Sequence, residues 1–366
     1  MKSQKFYLFM LSLLLFGAIT TMSSCSKSND TATPTVNADK TQLTALIDSV
    51  NLGYTAAVEG TKPGTYAAGS KATLKTSIDL STTTKNDGGA SQAAVNTAVA
   101  NLRRAVVVFK NSLIQEVSAA NLMAQWKFAG NANDATANAN NGVLKTGPVG
   151  AAPTFPAAPT DGGTLPILVA DRFGRAGQAY EFANGAYIEV PYKLALNPQA
   201  ITISVWVKPI DSNPDNYLVS MNRWTGYKFQ LQGDRKPFLT VSTTNTASPI
   251  SDRDAASGIV ATNTWTHVTS SYVDGTMKFY INGAPVKTWT DVSGSMKAVA
   301  QQVNLCIGQQ LPKNIYNSAP TASQPADYFQ YYGPAYFKGQ IDDIRIYNRA
   351  LSDAEVQSIY TIESTL

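Results

Sequence analysis

The chain has 366 residues, a formal charge of +4, only 15% charged residues and two cysteines, Cys25 and Cys306. That length allows two domains with real cores, and the low charge suits an extracytoplasmic β-rich protein better than a cytosolic α/β enzyme. No basic block argues for nucleic acid, and two cysteines cannot form a disulfide framework.

Residues 1–24 begin with Lys2 and Lys5, run apolar from Phe6 to about Ile19 and end in small residues. The run is shorter than the roughly 20 residues a spanning helix needs, so an export signal is expected there. Met22-Ser23-Ser24-Cys25 resembles the lipobox of bacterial lipoproteins, which implies that Cys25 becomes a lipidated N-terminus. An ordinary secretory signal with a chance cysteine is the other reading. Residues 25–37 are polar and without hydrophobic period, as a flexible tether would be. A polar, Asp-containing stretch after such a cysteine is similar to the export signals of surface lipoproteins in glycan-foraging Gram-negative bacteria. It implies anchoring to the outer membrane through lipid, with exposure at the cell surface.

From 38 to 118 the period is helical. Leu43, Leu46, Ile47, Val50 and Tyr54 form one apolar stripe, and Val95, Val99, Leu102, Val106, Phe109 and Leu113 form another behind an N-cap at Ser91. A middle helix is expected around Leu74 and Ile78. Three helices with one stripe each predict a small three-helix bundle. Gly64-Thr65-Tyr66-Ala67-Ala68-Gly69-Ser70, a Leu/Ile helix and then Ser91-Gln92-x-x-Val95 resemble FIVAR-type modules, which sit beside glycan-targeting domains in cell-surface proteins. The resemblance implies a spacer or an accessory binding unit.

From 121 to 362 the period changes to two. ITISVWVKP, HVTSSYV and MKFYING alternate as strands do, and Asp274-Gly275 and Asn282-Gly283 are hairpin signals. AQWKFAGNANDATANANNG, AYEFANGAYIEVP, ITISVWVKP, NTWTHVTSSYVDGTMKFYINGAPV and GQIDDIRIYNRALSDAEVQSIY follow in that order. Together they resemble the laminin G-like members of the concanavalin A-like lectin/glucanase superfamily. The fold class expected is a multidomain α-then-β chain: an N-terminal three-helix bundle followed by an antiparallel jelly-roll β-sandwich.

The superfamily holds lectins, adhesion modules and glucanases, so the residues must choose among them. Glycoside hydrolysis needs paired carboxylates, and the Glu-x-Asp-x-Glu array of the glucanase branch is missing; Glu181 and Glu189 are too far apart in sequence to supply it. His267 reads as a structural histidine. Sugar sites combine aromatic faces with a few polar groups, which points to Trp224 and Tyr227 in RWTGYKF and to Tyr328, Tyr331 and Tyr332 in the long aromatic loop. The expected function is noncatalytic carbohydrate binding at the cell surface. An adhesion or assembly module that binds protein, or a glycoside hydrolase with an atypical site, are the alternatives.

One residue raises a separate question. Strict alternation from Gly339 to Tyr347 puts Asp342 on one face with Ile344 and Ile346. A buried carboxylate needs a partner. The Asn-rich turn after the first strand offers Asp134, Asn138 and Asn140, either as ligands of a Ca²⁺ shared with Asp342 or through backbone N–H groups without metal.

Overall fold

The computed structural model describes residues 37–149, 160–213, 215–256, 258–299, 302–317 and 335–365. Cys25, Tyr328, Tyr331 and Tyr332 lie outside the described residues.

Three helices come first: α1 (Thr41–Ala56), α2 (Ser70–Asn86) and α3 (Gln92–Asn111). Their stripes meet in one core built on Leu43, Ile47, Leu74, Ile78, Val95, Val99, Leu102 and Phe109. Ser91 caps α3, its hydroxyl accepting the Ala94 N–H at 3.2 Å. Leu113 falls beyond the end of α3 and bridges to Tyr66 as extended chain. The exit segment then rests on the last helix, α4 (Asp353–Glu363): the Gln115 N–H donates to Ser358 Oγ at 2.9 Å, and Val117 packs with Val356 and Ile359.

Among the described residues fifteen strands follow in two antiparallel sheets. The first sheet has the order β13 (Ala284–Trp289), β12 (Thr276–Ile281), β11 (Thr266–Val273), β6 (Ile201–Pro209), β15 (Gly339–Tyr347), β4 (Ala179–Phe182) and β3 (Ile167–Val169). β1 (Leu122–Trp126) takes up the far half of β15, beyond where β4 ends. The second sheet runs β10 (Ile250–Asp254), β9 (Pro237–Ser242), β8 (Tyr227–Leu231), β7 (Asn216–Met221), β14 (Leu305–Ile307), β5 (Tyr187–Val190) and β2 (Val143–Lys145). Inward side chains of both sheets form a continuous core around Trp126, Phe182, Ile203, Val205, Phe229, Leu239, Phe279 and Ile344. The β12–β13 hairpin turns on Asn282 and Gly283, with φ of 49° and 77°, the left-handed pair that a two-residue turn of this kind requires.

Strict alternation fails in β15. Asp342 pairs with Trp206 and Arg345 with Ser204, so Asp343 and Ile344 together oppose a single residue of β6. This is a β-bulge, and Asp343 takes the strained φ of 39°. The inserted residue restores Ile344 and Ile346 to the core with Ile341 and leaves Asp342 on the outer face, under α4. Trp206, within the regular strand β6, also faces outward and is covered by α4.

Candidate functional site

Under α4 the outer face of the first sheet carries a buried polar network. The Arg172 guanidinium pairs with the Asp342 and Asp343 carboxylates and donates through Nε and Nη2 to the Glu363 carbonyl, at 3.1 and 2.8 Å. A cation at the end of a helix also meets the negative end of its dipole. The Glu363 carboxylate accepts from Arg345 Nε at 2.6 Å and from Trp206 Nε1 at 2.7 Å. Burial, reinforced by the adjacent Asp343 charge, pushes the Asp342 carboxyl upward, and Arg172 opposes that shift without cancelling it. His267 is fully buried beside Ser204, 2.6 Å from Nε2 to Oγ, and burial brings its pKa down to about 3. A neutral, enclosed imidazole with no water-accessible face has a structural role.

The partner of Asp342 is thus Arg172, in the turn after β3, and not the Asn-rich turn. Asp134 is fully engaged where it stands: Oδ1 accepts from the Gln125 and Thr136 N–H groups, both at 2.9 Å, and Oδ2 from Thr136 Oγ1 at 2.8 Å and the Asn140 N–H at 2.9 Å. Asn138 points its amide nitrogen at the carbonyls of Leu122 and Met123. Four donors already surround the Asp134 carboxylate and Asn138 presents N–H groups to the backbone, so these residues do not fit a Ca²⁺ ion. Among the described residues no cluster of acidic, His and Cys side chains could hold a metal.

The second sheet carries a different outer face. Cross-strand pairing lines up Asp252, Thr240, Lys228, Ser220, Cys306 and Glu189 in one row across six strands. The middle of the row is buried. Lys228 Nζ lies 4.9 Å from the Trp224 ring centroid, 5.3 Å from Phe238 and 5.5 Å from Tyr217, and burial lowers its pKa to about 8. Trp224 is half-buried at the head of this cluster. Tyr227 is not a surface candidate: it opens β8 facing inward, is fully buried, and its hydroxyl donates to the Leu196 carbonyl at 2.9 Å. The outward neighbour is Lys228.

At the β2 and β5 end the face opens into a cleft of about 420 Å³ lined by Lys145, Thr146, Tyr187, Glu189, Lys313 and Asn314. That volume falls in the range of roughly 300–1,000 Å³ typical of small-molecule clefts. The Glu189 carboxylate is held there by neutral donors, Tyr187 Oη at 2.8 Å and Asn304 Nδ2 at 2.7 Å. Asn304 is itself oriented by the Tyr192 N–H, which donates to its Oδ1 at 2.9 Å. Sequence reasoning met Glu189 only as half of a missing glucanase pair. The available signal was the parity of β5, which turns Glu189 away from its inward neighbours Ile188 and Val190.

Residues 182–357 match the sequence model of the family described as the concanavalin A-like lectin/glucanases superfamily. The match covers just under half of the chain; the fold itself is an antiparallel jelly-roll β-sandwich preceded by a helical module, and its sequence is similar to that superfamily. No curated protein matches the chain. Among solved structures the chain is similar to domain 4 of AbnA, a GH43 extracellular arabinanase from Geobacillus stearothermophilus, described in complex with arabinotriose. Identity is 20% and the TM-score 0.47, over 66% of this chain and 98% of that one. It is also similar to the binding domain of Paraclostridial Mosquitocidal Protein 1 (16%, TM-score 0.44, 66% of this chain and 52% of that one). A third likeness is to the botulinum neurotoxin serotype G binding domain (14%, TM-score 0.43, 67% and 52%). This chain spans about half the length of the two toxin structures, and at such identities the likeness concerns the fold alone.

Proposed function

We propose that the protein binds carbohydrate without cleaving it, through the outer face of the second sheet. The reading rests on one observation: a polar cleft lined by a firmly held carboxylate, Glu189, opens on the same sheet face as the half-buried Trp224. Polar groups fixed in place and aromatic surface are what sugar rings need, and this face offers both, three strand steps apart. Glycoside hydrolysis requires a second carboxylate across the bond; among the described residues lining the cleft Glu189 is the one carboxylate, and Asp161 beside it is taken up by Thr146 and Lys313. The superfamily match is consistent with a lectin role, since lectins are part of its description. Tyr328, Tyr331 and Tyr332 remain candidates for further stacking contacts.

The proposal extends to place. The lipobox-like segment ending at Cys25 supports a lipid anchor in the outer membrane, with the helical module holding the sandwich outward as a spacer. Affinity electrophoresis of the mature protein through gels containing single polysaccharides tests binding, and release of reducing ends from the same polysaccharides tests cleavage. Retardation by at least one polysaccharide without release of reducing ends is the expected result.

A further inference from the structure

Within the carbohydrate-binding reading, on which this inference rests, the donor and acceptor pattern of the cleft specifies a class of saccharide. Tyr187 Oη accepts the Lys313 N–H at 3.0 Å, so its one proton goes to Glu189 Oε2. Burial pushes the Tyr187 phenol upward, which keeps that proton in place. Asn304, turned by Tyr192, gives an N–H to Glu189 Oε1. Each carboxylate oxygen therefore receives one protein donor and keeps acceptor capacity, since an ionised carboxylate offers about four lone-pair sites. Among the described residues no cation pairs with it, and Lys313 is directed to Asp161. Lys145 stands across the cleft on β2, paired with Tyr187, exposed and without an ion pair among the described residues.

We infer that this cleft takes an uncharged saccharide through a vicinal diol, whose two hydroxyls donate to Glu189 while Lys145 donates to a neighbouring sugar oxygen. Two adjacent hydroxyls match two adjacent acceptor oxygens. A uronate or sulfate group has no proton to give and would set a second negative charge against Glu189 in a partly dry site, which disfavours it. Among the described residues the cleft wall offers no exposed ring face, since Tyr187 is only 1% exposed, so recognition by these residues is by hydroxyl pattern and not by stacking.

The test uses the mature protein and a panel of methyl glycosides: β-D-galactopyranoside, α-D-mannopyranoside, β-D-xylopyranoside, their deoxy congeners lacking one hydroxyl of the diol, and methyl β-D-galactopyranosiduronate. Binding is read by saturation-transfer NMR titration. At least one neutral glycoside should bind, and its deoxy congener and the uronate should bind at least about tenfold more weakly. Glu189→Gln should weaken the neutral ligand by at least about tenfold, because a bond to a charged group is lost. Lys145→Ala, at an exposed position that does not threaten folding, should weaken it several-fold. Tighter binding of the uronate than of its neutral congener overturns the inference. So does wild-type affinity in both variants; if Trp224→Ala then loses polysaccharide retention, carbohydrate binding stands and only the cleft is excluded. Failure of every polysaccharide and every glycoside to bind overturns both.

Discussion

The Arg172 guanidinium and the Asp342 carboxylate face each other with side chains only 4% and 3% exposed, 170 residues apart in the chain. Asp343 and the Glu363 carbonyl complete the ring of acceptors around the same guanidinium. The β15 bulge, the turn after β3 and the end of α4 are thereby fastened at one point. Arg172→Met strands two buried carboxylates and should cost about 3–5 kcal/mol of unfolding free energy at pH 7. Adding Asp342→Asn should return part of that loss. Urea unfolding of the two single variants and the double variant measures the coupling directly.

His267 gives the sandwich a defined acid weakness. Its folded pKa of about 3 lies below the unfolded value near 6.5, so between those pH values the unfolded chain binds a proton that the folded chain refuses. Stability from this group is complete above about pH 6.5 and falls as the pH drops, by up to about 1.4 kcal/mol per unit. Other groups titrate in the same window, so the contribution is read as a difference. The stability of wild type minus that of His267→Phe should shrink from pH 6.5 to pH 4; a constant difference would show that the imidazole does not titrate in the unfolding transition.

The Asn-rich turn is held by its own hydrogen bonds. Excess EDTA should leave the melting temperature unchanged, while Asp134→Ala, which orphans four donors, should lower stability by more than about 2 kcal/mol. A melting temperature that falls with EDTA and recovers with Ca²⁺ would require a bound cation.

Much of this fold was legible in the sequence. The helical stripes, up to Phe109 in the last of them, and the run ITISVWVKP each keep one period, and Asn282-Gly283 names its own turn. The failures share a cause: each was settled by one residue of parity or by a distant partner. Nothing local to IDDIRIY marks the extra residue at Asp343, because a bulge is selected by what packs on both faces of the sheet. Arg172 was invisible as a partner because its neighbours come from β15 and α4. In RWTGYKF the strand begins at Tyr227, and that start decides that Tyr227 enters the core while Lys228 meets Trp224. Tyr227→Phe should therefore cost about 1 kcal/mol through the lost bond to Leu196 and leave carbohydrate binding unchanged.

The anchor is tested separately from the sandwich. Cys25→Ser should shift the protein from the membrane fraction to the soluble fraction or leave an uncleaved precursor. Normal processing and membrane retention in that variant would contradict lipidation at Cys25.

Carbohydrate binding by the outer face of the second sheet is tested most directly by affinity electrophoresis of wild type beside Trp224→Ala and Glu189→Gln, each first shown to be folded by its urea transition. Wild type should be retarded by at least one polysaccharide, with retardation reduced in both variants and no reducing ends released. Free migration of folded wild type through every polysaccharide gel would contradict the account.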